Sequence, residues 1–144
     1  MNTNIDYFEA ACSAIGGVFG WILGGFDPLF YALIAFVALD YITGILLAVH
    51  NKKISSKIGF KAICKKILTF LIVSMGNIAD KYILGSGSAL RTLLIMFYLS
   101  NEGISILENA GLMGLPIPQK LKDVIRQLNH RGDSKENQIQ GPWL

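Results

Sequence analysis

Asp40 is the one side chain charged at neutral pH in residues 29–49 of this 144-residue chain. At about 1.5 Å per residue this run is long enough to cross the ~30 Å hydrocarbon layer of a membrane. An unpaired charge in mid-membrane costs about 2.5–3.5 kcal/mol on insertion scales, so the carboxyl needs a proton, a partner or water. Thr43 and Gly44 share its helix face. Asp40 and Thr43 are therefore either a hydrogen-bonded packing contact or a pore-lining or triggering group.

A second polar set lies near the end of the fourth apolar run. Its members recur at spacings of four, three and four residues, which places them on one helix face: Tyr98, Glu102, Ser105 and Asn109. Lys81 and Arg91 could pair with Glu102 within one bundle, but they lie two to three turns away. We therefore expect Glu102 to be partly buried without a direct ionic partner, facing other helices or an aqueous lumen.

Composition and motifs argue against an enzyme. The chain is 52% hydrophobic and 16% charged with a mean hydropathy of +0.46, typical of a membrane protein, and its net charge of +3 is too small to suggest nucleic-acid binding. His50 and His130 are expected to be solvated, and no nucleophile elbow or phosphate-binding glycine loop occurs. Cys12 and Cys64 lack metal-ligand spacing. We predict no catalytic residue, cofactor or metal.

The apolar runs predict an all-α integral membrane protein with three to four transmembrane helices. Within a membrane domain over residues 1–128, helices are expected over 10–26, 29–49, 67–84 and 89–107. The first run is preceded by Asp6 and Glu9 instead of cations, so it is not a signal peptide and either spans the membrane or lies at its interface. The N-terminus is inside if this run spans and outside if it does not.

Basic residues predict the orientation. Residues 50–66 carry six lysines and no acid, which should keep this segment cytoplasmic. A short basic amphipathic helix is predicted over 118–130, after prolines that stop the fourth helix, and residues 131–144 read as a flexible cytoplasmic tail. Each surface lysine should gain about 1 kcal/mol at an anionic inner leaflet. The predicted membrane-surface residues are Lys52, Lys53, Lys57, Lys61, Lys65, Lys66, Lys120, Lys122 and Arg126.

Glycines suggest close helix packing. Gly16, Gly20 and Gly24 lie four residues apart, a spacing that forms a smooth groove for a second helix, and Gly44 adds a small residue beside Asp40. The spacing is common in apolar segments, so background composition explains it about as well as specific packing does. With the polar stripes, this pattern predicts a homo-oligomer.

These features resemble the phage lysis and toxin-secretion holin family of Gram-positive bacteria and their phages. The likeness covers about residues 29–128 and includes the intramembrane Asp40 with Gly44, the Lys- and Ser-rich loop, and the Glu102 to Asn109 run. It ends in Gly-Leu-Pro-Ile-Pro at 114–118 followed by Lys-Leu-Lys at 120–122. The run at 10–26 is an addition to the pattern that carries the resemblance.

The resemblance implies a protein that oligomerises in the bacterial cytoplasmic membrane and opens lesions releasing an endolysin or toxin, with no required specific contact to that cargo. Two other functions remain to be weighed. A small proton-coupled multidrug exporter would also have short helices and a buried acid, but it would have brief loops and one dry carboxylate pocket. A membrane anchor or regulator could recruit a partner through the basic residues 120–131. The sequence favours the holin.

Overall fold

The computed structural model describes residues 3–85, 87–123 and 127. Within these residues the fold is entirely helical. It comprises α1 (Thr3–Leu23), α2 (Pro28–His50), α3 (Ser56–Tyr82) and α4 (Ala89–Leu112).

The junction between α1 and α2 is fixed by local chemistry. Gly24 and Gly25 take φ values of +82° and +98°, and the Gly25 N–H donates to the Gly20 carbonyl over 2.7 Å, which ends α1. Asp27 then caps α2 by accepting from the Phe30 N–H at 2.8 Å, with Pro28 in the first turn. The first helix therefore begins and ends earlier than the 10–26 expected from hydropathy alone.

The helix α3 is continuous and includes residues 56–66 of the lysine-rich segment, with four of its six lysines. It starts at Ser56, whereas hydropathy places the third membrane run at 67–84. Its first half carries Lys57, Lys61, Lys65 and Lys66. The helix α4 begins at residue 89 as expected but continues to Leu112, where Gly114 adopts a φ of +94° before the two prolines.

The helices α2 and α4 run parallel, and α3 runs antiparallel to both. Asp27 contacts Arg91 and, further along both helices, Asp40 lies near Asn109, so α2 and α4 run in the same direction. Lys66 contacts Glu102 about half-way along α4, whereas Asp80, later in α3, contacts Arg91 near the start of α4. Most tertiary contacts join α4 to α2 and α3, and α1 packs mainly on α3.

The apolar core is small for the apolar content of the chain. Its fully buried members come from α2, α3 and α4, and Phe30 also stacks edge-on against Phe70 with ring centroids 5.8 Å apart. The core consists of Leu23, Phe30, Leu33, Val37, Val73 and Ile95. Many other large apolar side chains on all four helices point outward.

Two of the described helices are long and apolar enough to cross a membrane, Pro28–His50 and Ala89–Leu112. Only 17% of each apolar window is buried inside the protein, whereas the core helix of a soluble protein would be mostly buried. The lysines in α3, and the acidic residues near the start of α1, reduce the hydropathy of the other two helices. By hydropathy the described residues contain two candidate spans, fewer than the three to four expected.

The predicted C-terminal amphipathic helix is described only in part. Residues 119–123 are helical, and the Leu121 and Lys122 N–H groups donate to the Pro118 carbonyl. Most of the remainder of 118–130, including Arg126, lies outside the described residues, as does the tail over 131–144.

Candidate functional site

A lysine bridges two carboxylates at the middle of the three-helix unit. Lys66 Nζ on α3 donates to Asp40 Oδ2 on α2 at 2.5 Å and also to Glu102 Oε2 on α4. We call Asp40, Lys66 and Glu102 the midspan cluster. Asp40 is 12 residues from the start of α2 and 10 from its end, so the cluster sits near half the length of the helix. One ammonium therefore ties three helices together.

Asn109 and Thr43 extend the midspan cluster along α2 and α4. Asn109 Nδ2 donates to Thr43 Oγ1 at 3.1 Å and lies 3.5 Å from Asp40 Oδ1, while the Thr43 hydroxyl donates to the Asp40 carbonyl at 3.0 Å. Gly44 faces Asn109 here, and a Cβ at this position would make only an ordinary contact with Asn109 Nδ2 at 3.9 Å. The structure thus brings the two predicted polar stripes together inside one chain.

Glu102 corrects one expectation. It was expected to lack a direct ionic partner, yet it pairs with Lys66, and both acids are more than nine-tenths buried at 8% and 6% exposure. Lys66 was expected at the membrane surface, but its side chain is only 18% exposed and points into the helices. The premise that these acids lack a partner within one copy is therefore wrong, while the homo-oligomer stays a prediction.

The midspan cluster holds one more carboxylate than ammonium. Two acids and one lysine leave a surplus negative charge or a shared proton in a poorly solvated place, where a broken pair is costly. Geometry of this kind is suited to a structural latch. It offers no nucleophile, and no group of three or more metal-ligating side chains occurs among the residues that the structure describes.

The other predicted site residues are placed as follows. Ser105 lines a cavity that reaches the midspan cluster, whereas Tyr98 packs against the apolar core and the Phe97 ring. The remaining predicted membrane-surface lysines within the described residues are exposed: Lys52, Lys53, Lys57, Lys61, Lys65, Lys120 and Lys122.

A second polar site, which sequence reasoning missed, surrounds Arg91. This side chain is 3% exposed and donates to Asp27 Oδ2 at 2.6 Å, to the Leu23 carbonyl at 2.6 Å and to the Gly25 carbonyl at 3.0 Å. Asp80 accepts from the Leu90 and Arg91 N–H groups and so caps α4. A single arginine in an otherwise apolar helical start was the available signal.

We call Asp27, Asp80 and Arg91, with Asn77, the Arg91 junction. Asn77 Nδ2 completes it by donating to the Ile22 carbonyl at 2.9 Å, so α3 and α4 together satisfy the open end of α1. Gly24 lies here and not on a helix groove, because a Cβ would fall 2.4 Å from Asn77 Oδ1 and 2.7 Å from Arg91 Nε. Gly24 therefore does not belong to the helix-packing groove predicted for Gly16, Gly20 and Gly24, because α1 ends at Leu23.

A family model described as a bacteriophage holin family matches residues 17–130. The chain belongs to the bacteriophage holin family. Holins of this family are non-enzymatic membrane proteins, and the two long apolar helices agree with a place in a membrane.

Holin-family relatives are similar over most of their length. An uncharacterised 14.9 kDa protein from the nagH 3′ region of Clostridium perfringens is 37% identical over 131 residues, covering 91% of this chain and 99% of that protein. The uncharacterised Lin0175 of Listeria innocua is 42% identical over 122 residues, covering 84% and 86%. YtkC of Bacillus subtilis, also uncharacterised, is 32% identical over 112 residues, covering 78% and 83%. No solved structure matches.

The family match also corrects the limits of the resemblance. It begins at residue 17, inside α1, so the second half of the first apolar run belongs to the holin pattern. The expectation that the run is an addition to that pattern is wrong for this half. The structural reason is the Arg91 junction, where α3 and α4 bind the end of α1.

Proposed function

We propose that this holin-family chain assembles in the bacterial cytoplasmic membrane and opens lesions through which an endolysin or toxin leaves the cell. The family supplies the functional class, and the midspan cluster carries the proposal for mechanism. There one ammonium joins three helices by charge within the part of the chain that the structure describes.

The midspan cluster acts as a latch between two states. While Lys66 is shared by Asp40 and Glu102, the polar groups face one another and the helices present apolar faces outward. Separation of the helices would leave these groups unpaired in the membrane, where charge is expensive. They then need water or neighbouring copies, so an opened chain is driven toward a wet, multi-copy assembly.

Orientation follows from the charge distribution. With α2 parallel to α4, the end of α2, the start of α3 and the end of α4 share one side, and exposed lysines cluster there. We place this side in the cytoplasm by the positive-inside tendency, with anionic lipid as its contact. The helices α2, α3 and α4 would then span, and the Arg91 junction would lie toward the outside.

Accessible tags at both ends test this orientation. A cytoplasmic C-terminal tag is expected. An N-terminal tag reached from outside indicates three spans, and one reached only from inside indicates that α1 is a fourth. A C-terminal tag reached from outside would contradict the placement.

A proton-coupled exporter is the rival function. It fits poorly because the buried acids here already share a lysine, and because exposed lysines occupy the loop at residues 51–55 and the first half of α3. An anchor or regulator acting through residues 120–131 would leave the midspan cluster without a purpose.

Inducible expression in a bacterium separates these functions. The holin function predicts abrupt growth arrest, collapse of membrane potential and release of a cytoplasmic enzyme into the medium. An exporter leaves cells intact and alters resistance to a toxic dye, whereas an anchor leaves cells intact without altering that resistance. Intact, energised cells at high expression would overturn the proposal.

A further inference from the structure

A cavity of about 670 Å³ opens beside the midspan cluster. It lies between the end of α2, the first half of α3 and the last turns of α4. Ile45, Ala48, Ile58 and Ile63 contribute to its walls, and Lys53 lies where it meets the loop between α2 and α3. This volume falls within the range of 300–1,000 Å³ typical of ligand sites.

The deep end of the cavity is polar. Asp40, Lys66, Ser105 and Asn109 all line it. Lys66 has three N–H donors and gives two of them to carboxylates. The Ser105 hydroxyl at this end, and the Tyr41 hydroxyl nearer the mouth beside Gly59, make no hydrogen bond to the part of the chain that the structure describes. A roomy site with several free polar partners is the kind that holds water.

The opposite side of the midspan cluster is dry. Between it and the Arg91 junction lie Leu33, Val73 and Ile95, each 0% exposed. We call these three residues the apolar plug. Hydrophobic constrictions of this kind exclude water and ions from a pathway.

We infer that the cavity is a water-filled vestibule that leads from the lysine-rich end to the midspan cluster and is closed on the far side by the apolar plug. Each closed chain then contains a polar pathway that runs from the lysine-rich end as far as the midspan cluster and stops there. The charges of the latch are hydrated from one side only, which lowers the cost of keeping them within the membrane. The inference rests on the proposed membrane placement but does not require lesion formation.

Accessibility of introduced cysteines tests the vestibule. In a Cys12→Ser, Cys64→Ala background, Ser105→Cys reports the deep end and Lys53→Cys reports the mouth. Leu107→Cys is the matched control, since Leu107 lies on α4 two residues from Ser105 but is exposed on the outer surface and does not line the cavity. Ile95→Cys reports the plug.

The probe is an anionic, membrane-impermeant methanethiosulfonate applied to membrane vesicles of each orientation, followed by a mass tag on the thiols left free. The thiolate is the species that reacts with this probe, and it forms poorly in apolar surroundings. Ser105→Cys should therefore react at least about tenfold faster than Leu107→Cys. It should be blocked from the same side as Lys53→Cys, and Ile95→Cys should be blocked from neither.

Three results would overturn the inference. They are a Ser105→Cys rate equal to that of Leu107→Cys, labelling from the side opposite to Lys53→Cys, or an Ile95→Cys rate equal to that of Ser105→Cys. Ala48→Cys, which also lines the cavity, repeats the measurement if Ser105→Cys is not inserted. Labelling identifies the vestibule even where enzyme release fails, so the two proposals are tested separately.

Discussion

Lys66 is the residue on which the closed state depends. Its replacement by methionine keeps a long side chain but leaves Asp40 and Glu102 buried and facing each other. Removal of one partner from a buried ion pair costs about 3–5 kcal/mol. We therefore predict that Lys66→Met advances the onset of enzyme leakage after induction and lowers the thermal unfolding midpoint in detergent.

Lys65→Met is the matched control, because it removes the same charge from the neighbouring position, whose side chain is exposed. It should leave both readouts unchanged. The triple change Asp40→Asn, Lys66→Met, Glu102→Gln removes all three charges together and should recover much of the lost stability. Equal timing and stability in Lys66→Met and Lys65→Met would remove the latch from the mechanism.

Gly24 provides a prediction at the Arg91 junction. Gly24→Ala places a Cβ against Asn77 and Arg91 and also forces alanine into a positive φ, which costs about 1–2 kcal/mol by itself. Gly25→Ala carries a similar backbone cost, with a φ of +98°, but meets open space. Thermal unfolding in detergent should therefore show a larger loss for Gly24→Ala. Equal losses would mean that the side-chain crowding is unimportant.

The acids of the midspan cluster could be predicted from sequence, but their partner could not. Asp40 and Glu102 stand out as carboxylates within apolar runs, whereas Lys66 belongs to a lysine-rich segment that looks uniform in sequence. The helical phase held a signal: Lys57, Lys61 and Lys65 form one stripe, and Lys66 is turned about 100° away from it. Only the position of α3 against α2 and α4 shows that this direction is inward.

At the scale of elements, the α1–α2 corner depends on an ion pair. The hydrogen bond from Arg91 holds the pKa of Asp27 below its usual value near 3.8, although burial opposes this. A carboxyl whose folded pKa is lowered contributes stability above its unfolded pKa and loses it as pH falls through the folded value. The thermal unfolding temperature in detergent should therefore decrease as the pH is lowered below about 4.

Asp27→Asn keeps an oxygen that can cap α2 but removes the charge. We predict a lower unfolding midpoint than wild type at pH 7 and a smaller difference between the two proteins as the pH approaches 3. The effect should be modest, because the Asp27 side chain is 43% exposed and solvent screens the pair. A constant difference across this range would show that the ion pair does not stabilise the corner.

Apolar runs predict that the helices exist better than they predict the residues at which the helices begin and end. The parts of α2 and α4 that dominate hydropathy were expected, and two prolines after α4 explain its end. The start of α3 was harder, because its lysines resemble a surface segment while its backbone continues as helix. The end of α1 was placed too late, because the chain turns at Gly24 and Gly25, where Asn77 and Arg91 from α3 and α4 bind the last carbonyls.

At the scale of the whole molecule, the outward apolar faces leave self-association to be tested. Gly16 is the better probe, because a Cβ added there would meet nothing within 4 Å in its own chain. A Cβ added at Gly20 would lie 3.2 Å from the Phe26 ring. We predict that Gly16→Leu reduces crosslinked oligomers in detergent without changing the unfolding midpoint. Val18→Leu, on an exposed part of the same helix, should retain them. Unchanged crosslinking in Gly16→Leu would remove α1 from the interface.

Release of a folded enzyme from vesicles tests the central claim most directly. Purified protein is inserted into vesicles of anionic bilayer lipid that contain both a small dye and an enzyme of ordinary size. The proposed lesions predict that the enzyme escapes together with the dye once the protein accumulates, and that Lys66→Met causes escape at a lower protein density than Lys65→Met. Vesicles that retain the enzyme at every density, with the protein fully inserted, would contradict the account.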